Sequence, residues 1–322
     1  MNGKFMKIND LFIEDIEIQN GVWIASEKSD YENQTQTNSA FSDKWETYSK
    51  DEIQSQEKFF EFQKEWYLSL YNFENELSLK NYLKTKKIVL DAGCGLGYKA
   101  KWFADLSPDT LVIGMDYSDS VFIAKETYKS VENLEFIKGD IANTNIKDKK
   151  LDYVSCDQVI HHTENPQLTM NELSRILIDG GELAVYVYAK KALPRELLDE
   201  HFRIKTKDVS KKDMWEMSKQ ITKLGKTLSD LKIKIDVPDI PLLEIKGGNM
   251  DLQRFIYWNF IKCFWNEDLG LENSISTNFD WYAPSNAERY TREEFLKMLK
   301  KSNLHGTEVH SEEACHSGRF KK

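Results

Sequence analysis

The feature that most constrains the fold is an alternation of short apolar segments with amphipathic segments between residues 87 and 188. Parallel strands need crossover connections, usually helices, so this alternation predicts a mostly parallel sheet with helices on both faces. The predicted strands are residues 88–90, 111–113, 134–137, 151–155 and 182–188. The predicted helices between them are residues 98–106, 121–131 and 167–177. The expected fold class is therefore α/β with a doubly wound sheet.

Two further regions follow this core. Residues 190–290 hold a Lys-rich helical segment, a turn region with two prolines and a helix over 251–265, and we expect them to form an insertion. Thr291-Arg292-Glu293-Glu294 has the sequence of a capping box and predicts a helix that runs to Ser302. Short terminal strands are expected near residues 308–310 and 315–320. The predicted division of the chain is 1–50, 51–189, 190–290 and 291–322.

The chain before the core has three predicted parts. Hydrophobic and polar residues alternate over 12–25 around Asn20-Gly21, which predicts a hairpin, because Asn-Gly supplies the positive φ of a tight turn. Residues 26–40 are almost entirely polar and are expected to form a mobile linker or a segment ordered by a ligand. Aromatic residues at helical spacing predict a helix over 51–71 with one buried face. The aromatic residues that precede this helix are better candidates for ligand contact, and they are Phe41, Trp45 and Tyr48.

Composition narrows the class of protein. The 322 residues, of which 40% are hydrophobic and 30% charged, can bury a sizeable core in one elaborated domain or two ordinary ones. The longest nearly apolar run, 183–189, is too short to cross a bilayer, and residues 1–15 do not resemble a signal peptide, so we expect a cytoplasmic protein with no membrane segment. The net charge of −9 disfavours nucleic acid as a partner. The four cysteines lie far apart and are expected to be reduced thiols that bind no metal.

The segment that carries chemistry is a strand that runs straight into a glycine turn and then a helix. It reads Val89-Leu90-Asp91-Ala92-Gly93-Cys94-Gly95-Leu96-Gly97. Glycines at alternate positions let the backbone approach a ligand at the carboxyl edge of the sheet, where doubly wound folds bind nucleotides. A dinucleotide site spaces its glycines GxGxxG, and this spacing is absent here, so a nicotinamide-dependent enzyme is a weaker alternative. The Asp91 carboxylate would face the turn, where it suits a cationic ligand group better than a pyrophosphate.

The run from Asp91 to Gly97 resembles motif I of the class I S-adenosylmethionine-dependent methyltransferases. The resemblance continues at later strand ends, with Ile113-Gly114-Met115-Asp116, Gly139-Asp140-Ile141, residues 153–162 and residues 177–183. It implies a Rossmann-like seven-stranded sheet with an N-terminal hairpin and helical extension and a helical lid inserted after strand five. It also implies S-adenosylmethionine as the cofactor and S-adenosylhomocysteine as the product.

The resemblance assigns cofactor-binding positions residue by residue. The family uses the acid at the position of Asp116 to bind both ribose hydroxyls, although an aspartate there could also cap a helix. Asp140 and Ile141 match the pair that holds the adenine edge, and the segment around Trp45 is similar to one that folds over the cofactor. The full set expected to bind the cofactor is Trp45, Asp91, Gly93, Cys94, Gly95, Gly97, Asp116, Tyr117, Ser118, Asp140, Ile141, Asp157 and Gln158.

Catalysis of methyl transfer needs few side chains, because the donor is already activated and alignment supplies most of the rate. A hydroxyl or protonated amine acceptor needs a base, and His161 and His162, just past the fourth core strand, are the best placed candidates. Their position fits a wall of the cofactor pocket equally well. Tyr282 is the third candidate, because it lies in an aromatic and charged insertion that could enclose a small polar acceptor.

The expected function is methyl transfer to a small polar metabolite through an oxygen, nitrogen or sulfur acceptor. An RNA methyltransferase is one alternative, because residues 190–226 hold 11 Lys or Arg against 6 Asp or Glu, and a cofactor-binding protein without turnover is another. No Asn-Pro-Pro-Tyr or Asp-Pro-Pro-Tyr follows the fourth core strand, which disfavours methylation of nucleic-acid bases. His310, Cys315 and His316 are expected to be surface residues of the terminal hairpin rather than metal ligands. The acceptor and the oligomeric state stay open.

Overall fold

The computed structural model describes residues 8–25, 31–48, 53–206, 208–306 and 308–322. The chain folds into two compact units. The first unit consists of Met1–Asn38, Phe62–Ala189 and Glu288–Lys322, and the second consists of Ser39–Glu61 and Lys190–Ala287. Each unit is therefore assembled from separate stretches of the chain. The four-segment division expected from the sequence remains a prediction.

The helices and strands, in chain order, fall into four groups. The N-terminal region forms β1 (Glu17–Gln19), β2 (Val22–Ile24), α1 (Glu32–Tyr48), α2 (Ile53–Leu70) and α3 (Glu76–Leu83). The alternating region forms β3 (Ile88–Ala92), α4 (Tyr98–Leu106), β4 (Leu111–Asp116), α5 (Ser120–Thr127), β5 (Leu134–Lys138), β6 (Leu151–Cys156), α6 (Pro166–Ile176) and β7 (Leu177–Ala189). The next region forms α7 (Leu193–Thr206), α8 (Lys211–Asp230), β8 (Lys234–Val237), β9 (Gly248–Asp251), α9 (Leu252–Asn259) and α10 (Gly270–Tyr282). The last region forms β10 (Arg289–Tyr290), α11 (Arg292–Lys301), β11 (His310–Ser311) and β12 (Cys315–Lys321).

Within the described residues, ten strands form one mixed sheet in the first unit. Its order is β1-β2-β5-β4-β3-β6-β7-β12-β11, and β10 pairs in addition with β7. The strands from β3 to β7 run parallel to their neighbours, whereas β12 runs antiparallel to both β7 and β11. The predicted α/β class and mostly parallel sheet are confirmed. The prediction of seven strands is wrong, because the N-terminal hairpin joins the sheet beside β5 and the short β10 adds to β7.

The central strands bury side chains on both faces of the sheet. All five residues of β3 are buried. Val89 packs in one hydrophobic cluster with Val112, whereas its neighbour Leu90 packs in a second cluster with Ile113. Successive side chains of a strand point to opposite faces, so a sheet covered on both sides requires nearly continuous apolar strands. Because β4, β3 and β6 are parallel neighbours, their carboxyl ends lie side by side at one edge of the sheet.

The predicted N-terminal hairpin is confirmed. Asn20 and Gly21 have φ values of 49° and 79°, which is the left-handed turn that matches the twist of the flanking strands. β2 then pairs in parallel with β5, Trp23 opposite Ile137. The hairpin therefore extends the sheet rather than standing apart from it.

Residues 32–48 form the helix α1, so the prediction of a mobile linker over 26–40 is wrong where the structure describes it; residues 26–30 lie outside the described residues. The alternative, a segment ordered by a ligand, stays a prediction. At least one polar side chain of α1 is bonded within the fold rather than solvated. Gln34 is buried, its Nε2 donates to the carbonyl of His162 at 3.4 Å, and its Oε1 accepts from the Glu164 amide at 2.7 Å. Hydrogen bonding thus orders a segment whose composition is typical of disorder.

The second unit is mostly helical and differs from the sequence expectation in two places. The helix predicted over 251–265 ends at Asn259, and Gln253 Nε2 then donates to the carbonyl of Cys263 at 2.9 Å, which holds the non-helical segment that follows. The predicted turn region contains the hairpin of β8 and β9, which pairs Val237 with Gly248. In the described part of the chain, no helix combines the length and the apolar character needed to cross a membrane.

The capping box that starts α11 is confirmed. Thr291 Oγ1 accepts from the Glu294 amide at 3.2 Å, and the Thr291 amide donates to Glu294 Oε2 at 2.8 Å. These two bonds satisfy donors that the first turn of a helix otherwise leaves unpaired. The helix ends at Lys301, with Ser302 at its C-cap.

Candidate functional site

Three glycines at left-handed φ build the turn between β3 and α4. Gly93, Gly95 and Gly97 have φ values of 81°, 53° and 75°. A Cβ on Gly93 would lie 2.4 Å from Cγ2 of Val159, and a Cβ on Gly97 would lie 2.7 Å from Cε1 of Phe136. Both the dihedral angles and the available space therefore require glycine. The turn places main chain rather than side chains at the carboxyl end of β3.

Asp116 ends β4 beside this turn and is bonded to it. Its Oδ2 accepts from the Gly95 amide at 2.8 Å, and its Oδ1 accepts from the amide and hydroxyl of Ser118 at 2.8 and 2.6 Å. Ser120 Oγ in turn donates to the Gly95 carbonyl at 2.9 Å. The carboxylate therefore holds the glycine turn and the loop after β4 together. The residue at the N-cap of α5 is Asp119, so Asp116 does not serve as a helix cap.

Further predicted residues follow β3, β4 and β5 and lie at the same edge of the sheet. The Cys94 amide donates to the Met115 carbonyl at 3.0 Å, and burial raises the pKa of its thiol well above the usual value. Asp140 follows β5, and its Oδ1 accepts from the Ala142 amide at 2.8 Å. Burial raises the pKa of Asp140, while that backbone bond opposes the shift. Two members of the set complete this edge, the half-buried Tyr117 and the buried Ile141.

Asp91 and Asp157 share a buried lysine that the sequence analysis did not identify. Lys99 Nζ lies 3.2 Å from Asp91 Oδ1 and 3.2 Å from Asp157 Oδ2, and all three side chains are buried. Burial by itself would lower the pKa of Lys99, but the charges of Asp157 and Asp91 outweigh it and raise the pKa. Burial raises the pKa of Asp91 to about 6, although Lys99 opposes the shift. The cation that faces Asp91 is thus a side chain of this protein.

The signal for Lys99 was present in the sequence. It occupies the first turn of α4, two residues after the last glycine of the turn, where a side chain reaches back to the end of β3. A buried strand residue such as Asp91 needs a partner for its charge. The first cation of the helix that follows Asp91 is Lys99, which makes it the expected partner.

The loop after β6 is fixed by contacts with α2 and with the residue that follows it, Tyr71. Tyr71 Oη donates to Asp157 Oδ1 at 2.7 Å, and Gln158 Nε2 donates to Gln63 Oε1 at 2.8 Å. Gln158 adopts a φ of 62°, which is uncommon for a residue with a Cβ. Such strain persists where surrounding contacts hold it, often at functional sites.

The histidine pair follows this loop in a short 3₁₀ helix, Ile160–His162, in which both side chains are buried. The ring centroid of His161 lies 3.7 Å from that of Tyr188 and 4.3 Å from that of His162. The His161 carbonyl accepts from the Glu288 amide at 2.8 Å. The first unit therefore brings the pair to the carboxyl end of β6, next to Asp157 and Gln158 in the chain.

Two predicted site residues, Trp45 and Tyr282, belong to the second unit. The Nζ of Lys44 lies 4.0 Å from the centroid of the Trp45 ring. Tyr282 is buried, and its hydroxyl both accepts from the Lys262 amide at 3.0 Å and donates to the Lys262 carbonyl at 3.3 Å. Burial raises the pKa of Tyr282. Its catalytic role stays a prediction, and the contacts observed within its own unit are structural.

The expectation that Cys315 and His316 lie on the surface is wrong. Both are buried, because β12 is an interior strand of the sheet. His310, Glu312 and Cys315 each have a potential ligand atom, and these atoms lie within 4.8 Å of one another. No fourth His, Cys, Asp or Glu joins them among the residues that the structure describes. The absence of a metal site stays a prediction.

Comparison with known proteins places the alternating region in a family. Residues 90–185 match the family model described as a methyltransferase domain. The chain is 32% identical over 152 residues to "Putative methyltransferase 235L" of Invertebrate iridescent virus 6, an alignment that covers 47% of this chain and 51% of that one. It is 26% identical over 141 residues to a sterol 24-C-methyltransferase of Eremothecium gossypii, covering 42% of this chain and 38% of that protein. The chain thus spans about half of the viral relative's length and less of the sterol enzyme's.

An alignment with one solved structure covers most of the chain. It is the 1,6-didemethyltoxoflavin-N1-methyltransferase of Burkholderia thailandensis, with bound 1,6-didemethyltoxoflavin and S-adenosylhomocysteine. The TM-score is 0.48, the sequence identity is 11%, and 92% of each chain is covered. The family assignment depends instead on the match over residues 90–185 and on the motif residues within it. Residues 90–185 are thus similar to a methyltransferase domain, and the motif residues within them resemble those of the class I S-adenosylmethionine-dependent methyltransferases.

Proposed function

We propose that this protein transfers a methyl group from S-adenosylmethionine to a small polar acceptor. The observation that carries the proposal is the glycine turn after β3, which the carboxylate at the end of β4 ties in place. A turn with no room for side chains lets a ligand approach the main chain closely, and an acid on the adjacent strand can accept hydrogen bonds from ribose hydroxyls. The residues present therefore fit an adenosyl cofactor. When bound, this cofactor supplies an electrophilic methyl group on a sulfonium.

The chain's own residues would hold and shield the reacting groups. Gly93 and Gly95 would contact the cofactor through their backbone, and Asp116 would orient its ribose. Asp140 and Ile141 would border the adenine ring, as the family motif implies. Lys99 lies between Asp91 and Asp157, so each of these buried carboxylates has a cation beside it.

The cofactor proposal predicts a specific loss of affinity in Asp116→Asn. The amide retains the shape of the side chain but loses the charge that strengthens hydrogen bonds from the ribose hydroxyls. A hydrogen bond to a charged group contributes about 1.5–3 kcal/mol, so the Kd for S-adenosylhomocysteine should rise by about 10- to 100-fold. Titration calorimetry measures this change directly.

Asp119→Asn is the matched control for that experiment. Asp119 lies three residues further along, and its exposed side chain pairs with Lys138. Its Kd should stay within about twofold of the wild type, because surface ion pairs contribute little. Equal affinities of the Asp116→Asn variant and the wild type would remove the basis of the cofactor assignment.

We propose His162 as the general base for the acceptor and His161 as part of the wall of the site. His161 has no exposed surface and packs against Tyr188, whereas His162 keeps 5% of its surface exposed. His162→Gln should lower kcat by about 100-fold or more, because general bases contribute about 10²–10⁴-fold, and cofactor affinity should stay unchanged. Turnover by His162→Gln within a factor of about three of the wild type would assign both histidines to the wall.

The two alternatives from the sequence receive less support. RNA methylation was suggested by the basic residues at 190–226, but Arg195 is buried against Asp199 and Arg203 donates to the Pro284 carbonyl at 2.8 Å. These two cations are therefore not available to phosphates. Cofactor binding without turnover is tested by assaying transfer of a labelled methyl group across candidate small-molecule acceptors.

A further inference from the structure

Lys262 of the second unit combines burial with an unpaired ammonium group. Only 6% of its surface is exposed, and within the described residues its Nζ makes neither a hydrogen bond nor an ion pair. Its Nζ lies 4.5 Å from the centroid of the Trp281 ring. Buried lysines are rare unless they are paired, because an ammonium loses its hydration on burial. An anion beside Nζ would therefore stabilise this ammonium group.

The acids around Lys262 are already engaged. Asp199 accepts from Arg195 Nε at 2.7 Å, and both of these side chains are almost completely buried. Asp280 lies 2.6 Å from Lys44 Nζ. Each carboxylate thus has another cation beside it, and Lys262 forms no ion pair within the described residues.

The surroundings of Lys262 disfavour its protonated form. Burial in the first place, and then the like charge of Arg195, lower the pKa of Lys262 to about 7, and Lys191 acts in the same direction. Asp280 and Asp199 oppose the shift without cancelling it. An anion placed beside Nζ would favour the protonated form and raise the pKa again.

We propose that the second unit binds a small carboxylic acid, with the carboxylate on Lys262 and an apolar part of the molecule against Trp281. A carboxylate carries one negative charge, which balances the single charge of Lys262. A phosphate group carries about 1.5–2 negative charges near neutral pH and would leave an excess. The aromatic surface beside Nζ favours an acid with an apolar or aromatic body. The site goes beyond the proposed methyl transfer, and its test needs no turnover.

The test uses the full chain and benzoate as the probe, with Lys262→Met as the variant. Titration calorimetry at about pH 6.5 should show that the Kd for benzoate rises at least about tenfold in Lys262→Met. Lys219→Met, which removes an exposed lysine of α8, is the control and should leave the Kd unchanged. Affinity of the wild type for benzoate should fall at least about tenfold between about pH 6 and pH 9, because deprotonation of Lys262 removes the charge that holds the carboxylate.

Thermal unfolding separates ligand binding from a structural role of this lysine. Replacing an unpaired buried ammonium by an apolar side chain of similar size should raise Tm by about 2 °C or more. A lysine needed for folding would instead give a lower Tm in Lys262→Met. Inorganic phosphate is the second probe, and tighter binding of phosphate than of benzoate would overturn the carboxylate assignment. A benzoate Kd that is the same in Lys262→Met and Lys219→Met would overturn the site itself.

Discussion

Replacing Lys99 with methionine is expected to lower the free energy of unfolding by about 3–5 kcal/mol at pH 7, because it removes the only described cation between two buried carboxylates. Asp91 has no exposed surface and Asp157 has little. Once Lys99 is gone, the two acids repel each other in a medium that solvates them poorly. Chemical denaturation monitored by tryptophan fluorescence gives the free energy of unfolding.

Lys101→Met is the control for this prediction, since it removes a lysine from the same helix. Lys101 pairs with Asp105 at the surface, and its loss should cost about 0.5 kcal/mol or less. The pH dependence adds a second readout. A carboxyl whose native pKa lies above its unfolded value stabilises the protein when protonated, and this stabilisation is lost as pH rises through the native pKa. Burial already raises the pKa of Asp91 to about 6, so the deficit of Lys99→Met should shrink as pH falls from about 7 to about 5. A deficit that is constant over this range would mean that Lys99 acts through packing.

Gly93→Ala is expected to lower the free energy of unfolding by about 2–5 kcal/mol and to abolish cofactor binding. A residue with a Cβ costs about 1–2 kcal/mol at left-handed φ, and overpacking costs about 1–3 kcal/mol more. Rotation of the Val159 side chain cannot relieve the clash, because its own Cβ would lie 2.9 Å from the new methyl group. The backbone must shift instead, and the glycine turn shifts with it. Thermal denaturation and calorimetric titration of S-adenosylhomocysteine measure the two effects.

Gly180→Ala separates the two contributions. Gly180 has the same φ of 81°, but a Cβ there would meet only the flexible end of Lys321 at 3.4 Å. This variant should lose about 1–2 kcal/mol and keep its cofactor affinity. Equal destabilisation of the two variants would show that the dihedral angle alone requires glycine at position 93.

Local patterns predicted most of the sheet and part of the site. Apolar periodicity predicts the strands at 88–92 and 111–116 and the helix Tyr98–Leu106. The alternating glycines predict the turn between the first of these strands and the helix, because this turn needs a backbone geometry that favours glycine. The capping box at Thr291 and the Asn-Gly hairpin are also local, because the residues that bond to each other are neighbours in the chain. Such features need no knowledge of the tertiary structure.

Features that depend on distant partners escaped prediction. Helix α1 consists largely of polar residues, and Gln34 is ordered by groups that lie 128 and 130 positions away in the sequence. The hairpin of β8 and β9 was not predicted, because the prolines in this stretch indicated only turns. Cys315 and His316 were expected at the surface because terminal hairpins usually lie there, whereas β12 is an interior strand of the sheet. In each case tertiary contacts outweigh local preference.

The interior position of β12 has a consequence for how the protein is made. β7 pairs with β12 along seven residues, and the whole of the second unit's longer stretch lies between them in the chain. A nascent chain leaving the ribosome therefore exposes the open hydrogen-bonding edge of β7 until residues 315–321 have been synthesised. Unpaired strand edges recruit other chains. A chaperone that shields β7 during translation would prevent such pairing.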